Sequence, residues 1–570
     1  MKTTPAQKWW QTAVFYQIYP RSFADGNRDG IGDLAGMRSR LDYLKDLGID
    51  AIWLSPHYPS PMCDCGYDVS DYIGVAPEYG TLDEFKQFLD EAHQRSIRVI
   101  LDLVLNHTSD QHAWFQESRS SLDNPKRDWY IWKKGKDGQP PNDWSSTFGG
   151  PAWEHDPLTG EYYYHFFFKS QPDLNWHNPQ VREAMWGVVR FWFRLGVDGF
   201  RLDAVGTIFE DERWKDNKLP YRVDDMHAFS KAAHTPAEQR QVHRKWMKLF
   251  EKQVDLPGVH PLMQELRRVV DEFNDRVLVG ETEDISFYGS GDDELHLSFN
   301  FPLMHTRLIT PAWVRANQAA RLVALPPGAW PCNTLGNHDS SRMISRFGDG
   351  EHDRELAEVN LAMLLFIKGT PFLYNGEEIG MTDYLISDIN QIRDPLSNHI
   401  YNLEIKSGTN SQEAALIAAR HGRDICRTPM QWKNAPNGGF CPESVTPWLP
   451  VNPNYAKGIN VEQQLADPLS LLQAYRLLLG VRKQNPALQA GEYLPVLTGS
   501  RSVLAFTRTT PGQTCLVAIN YTPKKRTVRV PELNQVSRVI LASKTGGHPS
   551  TGGKLVLQPY EVWVGELSGA

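Results

Sequence analysis

Gly199-Phe-Arg-Leu-Asp-Ala-Val205 is the stretch that organises the chain. Phe200, Leu202 and Ala204 alternate with Arg201 and Asp203, the period-two pattern of a strand, so Arg201 and Asp203 share one face. Two readings fit a guanidinium beside a carboxylate at a strand end. One is a partly buried ion pair; the other is a nucleophilic carboxylate kept ionised and oriented by its arginine. The rest of the chain decides between them.

Working outward, similar strands recur at regular intervals, separated by helical spacing. Val14–Tyr19, Ala51–Ser55 and Arg98–Leu105 precede the opening stretch, and Arg276–Gly280, Leu295–Phe301, Asn333–Gly336 and Phe372–Tyr374 follow it. Leu34–Leu47 has helical spacing and ends at Gly48; Thr81-x-x-Glu84 is a capping box. Another helix is expected over Val181–Leu195. Eight strands alternating with helices predict an α/β fold, a (β/α)8 TIM barrel. Thr108–Pro172 interrupts the rhythm without a long periodic segment and is rich in aromatic and turn residues, so it reads as an inserted subdomain after strand three. Asp383–Arg420 reads as a long loop. After about residue 490 short alternating strands follow without helices, which predicts a C-terminal antiparallel β-sandwich. The expected domains are the barrel at 1–107 and 173–489, subdomain B at 108–172, and the sandwich at 490–570.

Composition narrows the function. The 570 residues allow two or three domains, and 22% charged with 41% hydrophobic residues is ordinary for a globular protein. A net charge of −8 argues against a nucleic-acid or anionic-membrane partner. No secretory h-region and no apolar run of membrane-spanning length are visible, so a cytoplasmic location is expected. Six scattered cysteines suit reduced thiols, and Cys63-Asp-Cys65 has no second pair to make a zinc site. Eighteen tryptophans supply indole faces that suit sugar rings as well as cores.

Asp25-Gly-Asn27-Arg-Asp29-Gly30-Ile31-Gly-Asp33 copies most of an EF-hand loop, with oxygen side chains at positions 1, 3, 5 and 9 and glycine at 6. The Ile31 carbonyl would fill position 7, but position 12 is Gly36 rather than glutamate. The loop is either a structural Ca²⁺ site on another scaffold or a plain Asx/Gly turn cluster.

On a barrel, the residues leaving the strands share one rim. They include Tyr67-Asp68, Asn106-His107, Arg201 with Asp203, Glu281, and Asn337-His338-Asp339. Their chemistry suits glycoside hydrolysis, which needs a nucleophilic carboxylate facing a carboxylic acid.

The chain resembles glycoside hydrolase family 13, the α-amylase family, and especially its oligo-1,6-glucosidase and α-glucosidase branch. The resemblance rests on Asp102-Leu-Val-Leu-Asn-His107, Gly199–Ala204, Gly280-Glu281 and Asn337-His338-Asp339, joined by Gln171-Pro-Asp-Leu-Asn-Trp176, Gly422-Arg423-Asp424 and Arg427-Thr-Pro-Met-Gln-Trp432. It implies that Asp203 is the nucleophile, Glu281 the acid/base, and Asp339 the residue gripping the 2- and 3-hydroxyls. Arg201 would hold Asp203, while His107 and His338 bind the sugar. Asp68 and Arg423 would close the far end of the pocket, so that attack is exo, and Phe167 would line it. The Asp25–Asp33 loop matches the branch's usual Ca²⁺ site.

The resulting expectation is a retaining α-glucosidase acting on a small α-glucoside, as a monomer or weak homo-oligomer, with transglucosylation open to it. Ala204, beside the aglycone, leaves room that a β-branched residue would fill, so maltose-like and sucrose-type substrates should outrun α-1,6 linkages. A transferase or isomerase of the same branch, or an oligo-1,6-glucosidase, is the alternative. The Arg-Leu-Asp-Arg-type motif of the sucrose isomerases is missing, and Ser340-Ser341-Arg342 departs from the branch's usual pair. A non-enzymatic relative, such as an amylase-like transporter ectodomain, would need a membrane anchor and usually lacks these carboxylates.

Overall fold

The computed structural model describes residues 7–545, 549–550 and 553–568. Met1–Ala6, the start of the N-terminal stretch read above, lies outside them. Eight parallel strands form the central sheet: β1 (Phe15–Ile18), β2 (Ala51–Leu54), β3 (Arg98–Val104), β4 (Gly199–Asp203), β5 (Val277–Gly280), β6 (Leu297–Ser298), β7 (Cys332–Thr334) and β8 (Thr370–Tyr374). Each pairs with its sequence neighbour, β8 returns to β1, and a single parallel bridge from Phe299 to Cys332 joins β6 to β7. The result is a (β/α)8 barrel.

Period-two alternation explains what fills it. Phe15, Trp53, Ile100, Val277, Val279, Leu297, Cys332 and Phe372 point inward from seven strands and form one buried cluster, with Trp10 and Trp330 packed against them. Their outward neighbours, among them Tyr16, Ile52, Phe200 and Leu202, join the shell beneath the helices. Strand β4 offers Gly199 to the interior, because a Cβ there would stand 2.3 Å from the Val277 carbonyl oxygen.

Local signals set several boundaries. Thr81 and Glu84 form the capping box of helix Leu82–Gln94, and Gly48 ends Leu41–Leu47 at φ 103°. The helix expected over 34–47 is two helices, Leu34–Ser39 and Leu41–Leu47, broken at Arg40, whose guanidinium lies over the Trp432 ring. Strand β6 is shorter than expected, because Phe301 already opens the helix Phe301–His305. Between β3 and β4 the inserted segment carries a helix, Ala113–Ser120, and a three-stranded antiparallel sheet.

The stretch 383–420 is not a plain loop. It carries two helices, Pro395–Lys406 and Ser411–His421, capped by Asp394 and Asn410 and packed as a hairpin. Its inner face is built from Ala414, Ala415, Ala418 and Ala419, small residues that give little apolar contrast in sequence.

The C-terminal strands form a five-stranded and a three-stranded antiparallel sheet. Val503, Leu516 and Trp563 of the first and Val528, Leu555 and Leu557 of the second share one core, the arrangement of a sandwich. Two fully buried arginines meet at its seam with the barrel, Arg508 from the sandwich and Arg482 from the barrel-side helix Leu471–Gln484. Arg508 donates to the carbonyls of Phe366 and Ile367 at 2.6 and 2.7 Å, and Arg482 donates to Leu365 at 2.6 Å. Those carbonyls end the helix Asp353–Phe366, where intrahelical donors run out. Among the described residues, no helix is long and apolar enough to cross a membrane.

Candidate active site

Parallel register brings the rim residues level. Asp102 pairs with Arg201, Val104 with Asp203 and Leu202 with Gly280, and the Glu281 N–H donates to the Leu202 carbonyl at 2.9 Å. The inward face of β4 therefore ends in Arg201 and Asp203, with Asp102 on one side and Glu281 on the other.

Arg201 is the hub. Its Nη1 lies 2.6 Å from Asp102 Oδ1 and 2.8 Å from Asp203 Oδ1, and its Nη2 lies 2.8 Å from Glu281 Oε2. A single guanidinium thus holds Asp203 and Glu281 within its own width. Glu281 Oε2 also accepts from the Ala204 N–H at 2.9 Å. That bond depends on Ala204 adopting the left-handed region, at φ 42° and ψ 45°.

Three carboxylates around one guanidinium leave an excess of negative charge. Burial pushes Asp203 well above the ordinary carboxylate range; Arg201 opposes this, while Glu281 and Asp102 add to it. Burial likewise raises Asp102 to about 6 against the pull of Arg201. Asp203 and Asp102 therefore keep a proton more readily than free carboxylates do, and Arg201 does not by itself hold Asp203 ionised, contrary to the expectation from sequence.

Asp339 behaves oppositely. Burial would raise its carboxyl, but His338, Arg427, Arg423 and Arg201 together hold it below the usual range. Arg427 Nη2 lies 2.5 Å from Asp339 Oδ1, and His338 Nε2 lies 3.1 Å from Oδ2. His338 is fixed on both sides, by the Gln17 amide at Nδ1 and the Tyr67 hydroxyl at Nε2, each at 2.7 Å. With the Gln17 amide nitrogen facing Nδ1, the ring proton sits on Nε2. Burial lowers His338 to about 3 and His107 to about 4, so both are neutral hydrogen-bonding rings. His107 Nε2 approaches the Tyr67 carbonyl at 3.1 Å and the Gln171 amide at 3.0 Å, and the Phe167 ring stands edge-on to it at 5.1 Å.

One expected residue is displaced. Asp68 does not meet Arg423. It is fully buried, accepting from the Cys63 and Asp64 N–H groups and the Ser60 hydroxyl at 2.8–2.9 Å. Arg423 instead meets Asp64, at 2.7 Å, which Gln171 also reaches at 3.2 Å. Left-handed Cys65 and Gly66 turn the chain so that Asp64 faces the pocket, while Asp68 closes the turn behind it. Asp64, Asp102 and Arg427 were not singled out in sequence as site residues, although the quoted motifs contain Asp102 and Arg427.

The Asp25–Asp33 loop is a chain of Asx turns. Asp25 accepts from the Arg28 and Gly30 N–H groups, Asn27 from Asp29, and Asp29 from Ile31, at 2.6–3.0 Å. Asp33 accepts from Gly26, Asn27 and Gly36. Among the described residues no group of three His, Cys, Asp or Glu side chains is placed to hold a metal, so a cation here would also need Asn27 and a backbone carbonyl. The donors are hard oxygens, and a carboxylate oxygen accepting one N–H retains a second lone pair, so the set remains chemically suited to Ca²⁺.

The chain is similar to known proteins over most of its length. The family model "Alpha amylase, catalytic domain" matches residues 17–491. An oligo-1,6-glucosidase of Parageobacillus thermoglucosidasius is 41% identical over 92% of each chain. A probable alpha-glucosidase of Rhizobium meliloti is also 41% identical, again over 92% of each. Among solved structures, the trehalulose synthase MutB of Pseudomonas mesoacidophila MX-45 superposes with a TM-score of 0.86 at 37% identity, covering 99% of this chain and 100% of that one. The chain belongs to the α-amylase family, glycoside hydrolase family 13, and is a glycoside hydrolase.

Proposed function

We propose that the protein is a retaining, exo-acting α-glucosidase of short α-glucosides, favouring α-1,4 and sucrose-type linkages over α-1,6. The observation that carries this reading is Arg201 holding Asp203 and Glu281 together while the Asp64–Arg423 pair stands across the pocket beside Asp339. Arg201 engages Asp203 Oδ1, so attack on the anomeric carbon falls to Oδ2. Glu281 Oε2 is taken by Arg201 and the Ala204 N–H, so Oε1 carries the proton to the departing glycosidic oxygen. The C1–O bond breaks as the Asp203–C1 bond forms. Glu281, now deprotonated, takes a proton from water as that water attacks C1 and releases Asp203, and two inversions return α-glucose. Asp339, ionised and gripped by Arg427, would accept the 2- and 3-hydroxyls; His107 and His338 would bind neighbouring hydroxyls and Phe167 would face the ring. Asp64 and Arg423 would hydrogen-bond the non-reducing end and leave no room for a further sugar.

Ala204 supports the linkage preference, since its methyl group leaves space where a branched side chain would crowd an α-1,4-linked aglycone. Asp25, Asn27, Asp29, the Ile31 carbonyl and Asp33 would hold Ca²⁺ as a structural ion remote from the chemistry. A second reading, glucosyl transfer or isomerisation, draws on the likeness to trehalulose synthase, a protein crystallised with sucrose as its substrate. The same glucosyl-enzyme would then be captured by a sugar hydroxyl. Product analysis on maltose, isomaltose, sucrose and trehalose separates the two, with glucose expected as the main product. Initial release of β-glucose, seen by NMR, would overturn the retaining scheme.

A further inference from the structure

The helical hairpin 395–421 reaches the pocket through its N-cap residue, Asp394. Asp394 is fully buried and caps the helix by accepting the Leu396 N–H at 3.2 Å. The same carboxylate accepts the Arg423 backbone N–H at 2.6 Å and its Nη2 and Nε at 2.8 and 3.2 Å. Asp424 fastens the other side, accepting from the Arg393 and Asp394 N–H groups at 2.6 and 2.9 Å. At Gly422 a Cβ would stand 1.6 Å from Ser397 Oγ, so the two segments touch backbone to side chain. Burial would raise Asp394, but Arg423 and Arg427 hold it ionised.

Arg423 is thereby stretched between two anions. Its Nη2 serves Asp394 and Asp64 at 2.8 and 2.7 Å, while its Nη1 stands 3.7 Å from Asp339. A guanidinium released from Asp394 would be left with Asp64 alone on its Nη2 and would be free to swing its Nη1 the 3.7 Å to Asp339, whose Oδ1 Arg427 already occupies. We propose that Asp394 is a positioning residue: it holds Arg423 on Asp64 and off Asp339, which makes the hairpin part of the glucose-binding pocket. The inference rests on the glucosidase reading above. It adds that glycone affinity is set from a helix pair outside the barrel strands. Because the effect falls on the glycone side, it should act equally on every linkage.

The test uses the full-length chain, with glucose affinity measured by calorimetry and kcat and KM on p-nitrophenyl α-glucoside. Asp394→Asn should weaken glucose binding and raise KM about ten- to a hundred-fold, the scale of a lost charge-assisted hydrogen bond, with a smaller fall in kcat. The maltose-to-isomaltose ratio should stay constant. Asp394→Ser keeps a capping oxygen for the helix and should weaken glucose equally, which separates positioning from folding. Glu404→Gln loosens the hairpin's tie to His227 and Lys231 instead; it should lower the melting temperature and leave glucose affinity unchanged. Wild-type glucose affinity in both Asp394 variants would overturn the inference, as would an equal loss in Glu404→Gln. A wild-type chain that neither binds glucose nor cleaves α-glucosides would instead overturn the glucosidase reading, and this inference with it.

Discussion

Replacing Asp64 and Asp68 one at a time by asparagine should give opposite outcomes, although the residues lie four apart in one turn. Asp64 accepts from Arg423 Nη2 at 2.7 Å and from Gln171 at 3.2 Å. Asparagine keeps the shape but removes the charge, and a hydrogen bond to a charged group is worth about 1.5–3 kcal/mol. If that energy is expressed in the transition state, kcat/KM on maltose falls about ten- to a hundred-fold. Thermal stability changes less, because Arg423 keeps Asp394. Among the described residues, Asp68 touches no pocket residue except through the Asp64 backbone. Its two oxygens accept two backbone N–H groups and a hydroxyl, and an amide NH2 turned toward an N–H forfeits one bond, at about 1–3 kcal/mol. Asp68→Asn should therefore lower the melting temperature while kcat/KM stays within a few-fold of wild type. Burial also raises Asp68 to about 6. The folded chain then binds a proton more tightly than the unfolded one, so this residue's contribution to stability declines from about pH 4 to pH 6 and the asparagine variant should lack that decline. Steady-state kinetics and pH-dependent calorimetry on both variants would check this. A greater activity loss in Asp68→Asn than in Asp64→Asn, at unchanged stability, would refute the placement of the pocket's closing pair.

Asp203→Asn should abolish turnover without unfolding the chain, and Glu281→Gln should still attack a substrate whose leaving group needs no proton; burst kinetics with an activated glucoside reads both. Ala204→Val should lower activity on maltose more than on isomaltose. Because φ at 204 is 42°, the branched side chain also strains the backbone, and Ala204→Gly, which relieves strain, is the control. Equal losses on both sugars would place linkage choice elsewhere. Chelation should lower the melting temperature, with kcat on the surviving fold unchanged and the loss reversed by added Ca²⁺, since a ligand of the native state stabilises it by linkage. An unchanged melting temperature would leave the Asp25–Asp33 loop a self-sufficient run of Asx turns.

Sequence pattern revealed the elements that are decided locally. Alternation around Phe200 and Leu202 places Arg201 and Asp203 on the inward face, Thr81 and Glu84 cap their helix, and Gly48 ends another. It was weaker where distance in the chain decides. Arg427 and Asp339 are 88 residues apart, Arg201 and Asp102 are 99, and nothing short of the closed barrel makes them partners. The choice between Asp64 and Asp68 turned on the left-handed backbone at Cys65 and Gly66, and a non-glycine residue in that region leaves no pattern. The alanine face of Ser411–His421 hid a helix because small residues blur the contrast on which periodicity depends.

Arg482 and Arg508 carry a consequence for how the chain comes apart. Both spend their charge on main-chain oxygens just before β8, the strand that closes the barrel onto β1. A chain ended near residue 490 would keep every catalytic side chain and still lose Arg508. The Phe366 and Ile367 carbonyls would be left without their donor beneath an uncovered apolar surface. Barrel closure and the sandwich should consequently melt in one transition, and proteolysis of the C-terminal unit should extinguish activity at a distance from any sugar contact.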